Sequence, residues 1–134
     1  MPVKSHTSYD GGSTGEDTKC RPQLFIDLAE RFTNVNWILA HAGNKELGRI
    51  DAVEAAKACP NIFLETCTSY GDHGAIEFLV EGAGADRVLY GSDMPLMDAR
   101  MQVGRIVTAD ISETAKRQVL GLNAIRLLGL ENSS

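Results

Sequence analysis

Four short apolar stretches recur along the chain, each separated from the next by a segment with helical spacing. The first covers residues 2–6 and is interrupted by Lys4 and Ser5, and the others cover 36–40, 62–66 and 87–90. The last three are bounded by turn formers, namely Asn34 and Gly43, the Pro60-Asn61 pair, and Gly91. All are too short for helices and read as strands. Between them, Leu24, Leu28 and Phe32 fall at i, i+4 and i+8 behind Pro22, a residue suited to a first helical turn. Leu47, Ile50, Val53, Ala56 and Ala58 form a second stripe that ends at Pro60, and Ile76, Leu79, Val80 and Ala83 form a third with Gly82 and Gly84 as stop signals. Further helices are expected over 99–109, over 112–120 with Ser112 as N-cap, and over 123–128.

Strands that alternate with helices of this length predict an α/β fold of parallel βα units. The helices can cover one face of the sheet, as in a barrel, or both, as in a doubly wound sheet. Four strands cannot close a barrel, which needs eight and about 250 residues, and the pattern alone leaves both architectures open. No linker or low-complexity segment interrupts the sequence, so residues 1–134 read as one domain.

Composition narrows the partners. The chain has 134 residues, 43% hydrophobic, with 18 acidic against 13 basic side chains and a formal charge of −5, which offers no basic field to nucleic acid. The apolar runs are far too short to span a bilayer. Three cysteines, Cys20, Cys59 and Cys67, form no CxxC pair and are odd in number. Reduced thiols in a cytoplasmic protein are therefore expected. Residues 2–6 already read as working sequence, so no signal peptide is expected and the chain is expected to start abruptly.

Chemistry in α/β folds gathers where strands reach their C-terminal edge. After the first strand comes His6 and after the second His41, in Ala40-His41-Ala42-Gly43. The third ends in Glu65, Thr66 and Cys67, and the fourth leads into Gly91-Ser92-Asp93-Met94-Pro95. Two imidazoles and two carboxylates thus converge on one edge, a nitrogen and oxygen donor set suited to Zn²⁺, Mn²⁺ or Fe²⁺. Each residue also has an ordinary reading. A histidine at a strand end is commonly a hydrogen-bonded rim residue, and Asp93 is a common turn former. Glu65 can pair with a helix-borne Arg or Lys, Cys67 reads as an inert, partly buried thiol, and His73 as solvated at a helix start. What favours a site is the coincidence of His or Asp after three of the four strands. Gly11-Gly12-Ser13-Thr14-Gly15 lacks the ending and spacing of a phosphate loop and reads as a surface loop.

The segments His6-Thr7-Ser8, Ile38-Leu39-Ala40-His41-Ala42-Gly43, Asn61-Ile62-Phe63-Leu64-Glu65-Thr66, Arg87-Val88-Leu89-Tyr90-Gly91-Ser92-Asp93-Met94-Pro95 and Asn123-Ala124-Ile125-Arg126-Leu127-Leu128-Gly129-Leu130 resemble, in order, the later part of the amidohydrolase superfamily. The similarity is to its aminocarboxymuconate-semialdehyde decarboxylase-like and dicarboxylate lactonase-like branch. The resemblance implies the C-terminal half of a (β/α)8 TIM barrel, strands five to eight. It implies that His6 is the strand-five metal ligand, and that His41 is the strand-six histidine, ligating metal or polarising substrate. Asp93 is implied to be the strand-eight aspartate, a metal ligand and proton shuttle. The implied activity is that of a metal-dependent hydrolase, or a decarboxylase of related mechanism, on a small carboxylated or cyclic molecule. Zinc is the expected metal, with manganese or iron as alternatives.

The family's first strand supplies a His-x-His metal pair, and this sequence, whose only histidines are His6, His41 and His73, has none. The resemblance therefore implies a half-site that binds metal weakly and turns over little in isolation. Three expectations follow: a truncated or split product that needs a missing N-terminal half-barrel, a half-barrel that covers its open edges by homo-oligomerisation, or a non-catalytic binding domain. A flavodoxin-like domain that binds an anion through residues 11–15 is the rival fold.

Overall fold

The computed structural model describes residues 1–11 and 19–130. Four strands, β1 (Val3–His6), β2 (Trp37–Ala40), β3 (Ile62–Glu65) and β4 (Val88–Leu89), form one sheet in the order β1-β2-β3-β4, with every neighbouring pair parallel. Helix α1 (Phe25–Arg31) joins β1 to β2, α2 (Glu46–Ala58) joins β2 to β3, and α3 (Ala75–Ala83) joins β3 to β4. Helices α4 (Ala99–Val107), α5 (Glu113–Arg117) and α6 (Asn123–Leu128) follow β4. Residues 12–15, on which the anion-loop expectation rests, lie outside the described residues.

Register sorts the strand residues into two faces, because successive side chains of a strand point to opposite sides. Trp37, Leu39, Ile62, Leu64 and Val88 share one face, and all pack with Ala29, Ala52, Ala55, Ala56, Ile76, Leu79, Ile106 and Val119 from the helical segments. The opposite face carries Lys4 and His6, Ile38 and Ala40, Phe63 and Glu65, and Leu89. The helices therefore cover one side of the sheet, as in a barrel segment, and the doubly wound alternative does not apply.

Two of the expected helical stripes are rotated. In α2 the buried residues are Gly48, Arg49, Asp51, Ala52, Val53, Ala55 and Ala56, while Leu47 and Ile50 are partly exposed. Small side chains face the sheet because they let the helix lie close to it, and the bulky ones are turned to the rim. Around α1, Leu24 and Phe32 are exposed and Ala29 is buried, and Pro22 opens a 3₁₀ turn (Pro22–Leu24) ahead of the helix. The third stripe holds, with Ile76, Leu79 and Ala83 buried and Gly84 at φ +91° as C-cap. Ser112 caps α5 as expected, its Oγ accepting from Ala115 N at 3.1 Å.

The last two expected helices are one, since a π-helical turn (Gln118–Leu122) links α5 to α6. The Val119 carbonyl of this turn accepts the Tyr90 N–H at 2.8 Å, so the chain leaves β4 onto a helix. Asn123, 2% exposed, donates from Nδ2 to the carbonyls of Ala85 and Val88 at 2.7 and 2.8 Å. Asn123→Ala would strand two acceptors beside β4. The expected cost is about 2 kcal/mol, read as a lower urea midpoint with an unchanged far-ultraviolet spectrum. An unchanged midpoint would mean that β4 is held without Asn123.

Candidate functional site

Beyond the strand ends, the backbone follows an uncommon path. His41, Ala42, Gly43 and Asn44 have φ of +66°, +42°, +77° and +67°. Three of these are not glycine, and each such residue costs on the order of 1 kcal/mol or more. Hydrogen bonds from both neighbouring strands hold the turn. The Thr7 hydroxyl, buried after β1, donates to Ala40 O at 2.7 Å and accepts from Gly43 N at 3.0 Å. From β3, Glu65 Oε2 accepts the His41 N–H at 3.0 Å.

This turn brings the His41 ring to 4.8 Å from the His6 ring, centroid to centroid, at 66°. His41 Nδ1 lies 3.0 Å from Cys67 O. Cys67 Sγ lies 3.1 Å from the same nitrogen, so carbonyl and thiol of one residue anchor the ring. The tautomer that donates to the carbonyl leaves the Nε2 lone pair free, the arrangement common to metal-ligating histidines. Burial, and then the neighbouring His41, draw the His6 imidazole below its ordinary value, with Asp93 acting in the opposite direction. His6 is therefore held toward the neutral form that a metal ligand requires.

Asp93 stands after β4 at φ +57°, and its carbonyl accepts from Leu96 N and Met97 N at 2.9 and 3.2 Å. Its carboxylate is near enough to act on His6 and also on Cys67. The Cys67 thiol is pushed up to about 12, by burial first and then by the charges of Glu65 and Asp93. It is a protonated thiol, as its ordinary reading expects.

Among the described residues, the donor atoms of His41, Glu65 and Cys67 lie within 4.8 Å of one another. This triad is a hydrogen-bonded network in which the donors face each other. Glu65, 2% exposed, receives Lys4 Nζ at 3.2 Å and His41 N at 3.0 Å, and the Cys67 thiol lies 3.1 Å from His41 Nδ1. Glu65 thus pairs with a lysine of a strand, where a helix-borne partner was expected. Its Oε1 also sits so close to Gly91 that a Cβ there would come to 1.3 Å. The donor chemistry of His6, His41 Nε2 and Asp93 fits part of a divalent-cation set, two imidazole nitrogens and a carboxylate, short of a full coordination sphere. His73 is exposed, as expected, and borders a separate groove of about 390 Å³ with Arg49, Asp72 and Phe78.

The sequence reading missed Thr7 and Lys4. Lys4 was detectable, because the two-residue period places it on the same face as His6. Nothing in the sequence marks Thr7 as the anchor of the His41 turn.

The family model described as "Amidohydrolase" matches residues 1–130. No curated protein sequence matches. Among solved structures, an uncharacterised TIM-barrel protein from Bordetella bronchiseptica aligns with a TM-score of 0.76 and 21% identity, over 96% of this chain and 46% of that one. A 5-carboxyvanillate decarboxylase from Sphingomonas paucimobilis gives 0.63 and 24%, over 84% of this chain and 40% of that one. A dihydroxybenzoic acid decarboxylase from Polaromonas, solved with bound manganese, gives 0.66 and 18%, over 90% and 43%. The chain spans less than half the length of each of these three proteins.

Proposed function

The chain belongs to the amidohydrolase family, and from that premise we propose that it forms strands five to eight of a metal-dependent (β/α)8 enzyme, its residues 1–134 acting as one C-terminal half-barrel domain. In this reading the enzyme decarboxylates, or by a related mechanism hydrolyses, a small carboxylated cyclic molecule. The observation that carries it is the His41 ring, anchored through Nδ1 at Cys67 and standing 4.8 Å from the His6 ring. The decarboxylases of carboxylated aromatic acids among the structural neighbours support the substrate class.

His6, His41 and Asp93 would hold a divalent cation, Zn²⁺ or alternatively Mn²⁺ or Fe²⁺, weakly. Such a cation, when bound, supplies Lewis-acid polarisation of a substrate oxygen. The chain's own residues divide the remaining work. His6 offers a neutral ring nitrogen. Asp93, in the turn after β4, takes up and returns a proton at its carboxylate. His41 Nε2 ligates the cation or stabilises charge that develops on the substrate oxygen.

The half-site is completed by a second copy of this chain or by a separate N-terminal half-barrel that brings further ligands, and the enzyme is cytoplasmic. In support, Leu122, Ile125 and Leu128, on the helical segment that packs against β4, are 48%, 39% and 52% exposed. Neither nucleic acid nor a membrane is a partner in this reading. Among the described residues no helix is long and apolar enough to cross a membrane.

The test is loss of dihydroxybenzoates, carboxyvanillate and small lactones in Mn²⁺ or Zn²⁺ over a wide range of protein concentration. Rate per chain is expected to rise with concentration as copies share a site, and Asp93→Asn should lower it about 100-fold. A rate indifferent to Asp93→Asn would contradict the assignment. Absence of turnover at every concentration would contradict completion of the site by a second copy of this chain.

A further inference from the structure

We propose that Glu65 is the positioning residue of this site: one buried carboxylate that ties the ends of three strands together and thereby sets where His41 stands. The proposal rests on the reading of His41 as a ligand or substrate-polarising group, and it concerns a residue that touches neither metal nor substrate.

The geometry is specific. His41 is a non-glycine residue in left-handed backbone, a conformation that persists only where its surroundings impose it. Of the bonds that impose it, the one made by the His41 N–H itself goes to Glu65 Oε2 at 3.0 Å. An ionised acceptor makes this bond stronger than a neutral one. Glu65 Oε1 faces Lys4 of β1 at 3.2 Å, which compensates the buried charge. The same oxygen occupies the space where any side chain at position 91 would begin, so the chain leaving β4 toward Asp93 passes directly over it. Cys67, two residues beyond Glu65, holds the His41 ring through its carbonyl at 3.0 Å and its thiol at 3.1 Å from Nδ1. The backbone of His41 is therefore tied directly to the β3 carboxylate, and its ring to the segment that follows this carboxylate.

Outer-shell partners of this kind change metal affinity by about 10- to 100-fold when removed. Glu65→Ala is expected to weaken Mn²⁺ binding by about that factor. Glu65→Gln keeps an acceptor oxygen of the same reach and should stay within about threefold of wild type, which a simple requirement for negative charge would not allow. The second readout is nuclear magnetic resonance of the full, metal-free chain. In Glu65→Gln the His41 backbone amide proton should move upfield as its acceptor loses charge, with the fold otherwise unchanged. In Glu65→Ala the His41 ring-nitrogen resonances should also move, as the turn that presents the ring to Cys67 loses its tie to β3.

Unmoved His41 resonances in the folded glutamine variant overturn the proposal, even if the alanine variant fails to fold. So does alanine-variant Mn²⁺ affinity equal to wild type. If wild-type chain takes up no Mn²⁺ at all, the metal reading of the site fails, while the His41 resonances still decide the role of Glu65.

Discussion

Gly48→Ala is expected to destabilise the chain by about 3 kcal/mol or more, although alanine in place of a helical glycine usually stabilises by about 0.4–1 kcal/mol. Gly48 lies in the first turn of α2, and a Cβ there would come to 1.8 Å from Gly43 O and 2.6 Å from Gly43 C. The reverse also holds, since a Cβ on Gly43 would reach Gly48 O at 2.0 Å. Backbone meets backbone, so no rotamer change relieves the contact, and either α2 or the turn 41–44 must move. Gly43 also has φ +77°, which glycine adopts without penalty. This close approach seats the His41 turn on α2, and its loss should degrade metal binding along with stability. Thermal unfolding should show a midpoint lower by about 10 °C for a chain of this size. A midpoint at or above that of wild type would show that the Gly43–Gly48 contact is not what holds the turn.

The largest functional effect is expected at His6 and Asp93. In the proposed site each supplies one of three protein donors, and a cation site already short of ligands has no reserve. His6→Ala and Asp93→Ala should each weaken Mn²⁺ or Zn²⁺ binding about 100-fold or more, about 2.8 kcal/mol at 1.4 kcal/mol per tenfold. Cys67→Ser is the informative contrast. If the cation sat in the His41, Glu65 and Cys67 triad, loss of the thiol would be as damaging as loss of His6. The Cys67 thiol is buried and already lies 3.1 Å from His41 Nδ1, so it is engaged within the protein itself. The serine variant should bind within about threefold of wild type. Competition against a chromophoric chelator orders the three variants, and a Cys67→Ser loss equal to that of His6→Ala would transfer the site to the triad.

Much of the fold was legible because short apolar runs bounded by turn formers alternate with longer segments of helical spacing. The strands at 36–40 and 62–66 lie where expected to within a residue, and Pro60, Gly84 and Ser112 mark boundaries for the reasons their chemistry gives. The face of α2 was misread because hydrophobicity alone favoured Leu47 and Ile50, whereas close packing on the sheet selects Gly48, Ala52, Ala55 and Ala56. The continuous helix formed by α5, the π turn and α6 was read as two, because a π turn leaves no composition signal and arises from the tertiary bond between Tyr90 N and Val119 O.

At the candidate site the strand-end rule pointed to His6, His41 and Asp93, and the structure brings the two rings together with the aspartate charge acting on His6. What it could not find was the support beneath them. The left-handed turn at 41–44 and its ties to Thr7 and Glu65 are contacts between residues distant in the chain, and the residue types involved are ordinary.

The central claim is that His6, His41 and Asp93 form a real, if partial, divalent-metal site on this chain. Elemental analysis after equilibrium dialysis of wild-type protein against Zn²⁺ or Mn²⁺ tests it most directly, with His6→Ala and Asp93→Ala in parallel. The account predicts near-stoichiometric, saturable metal in the wild type and loss of it in both variants. No metal above background in the wild type, or an equal amount in all three proteins, would contradict it.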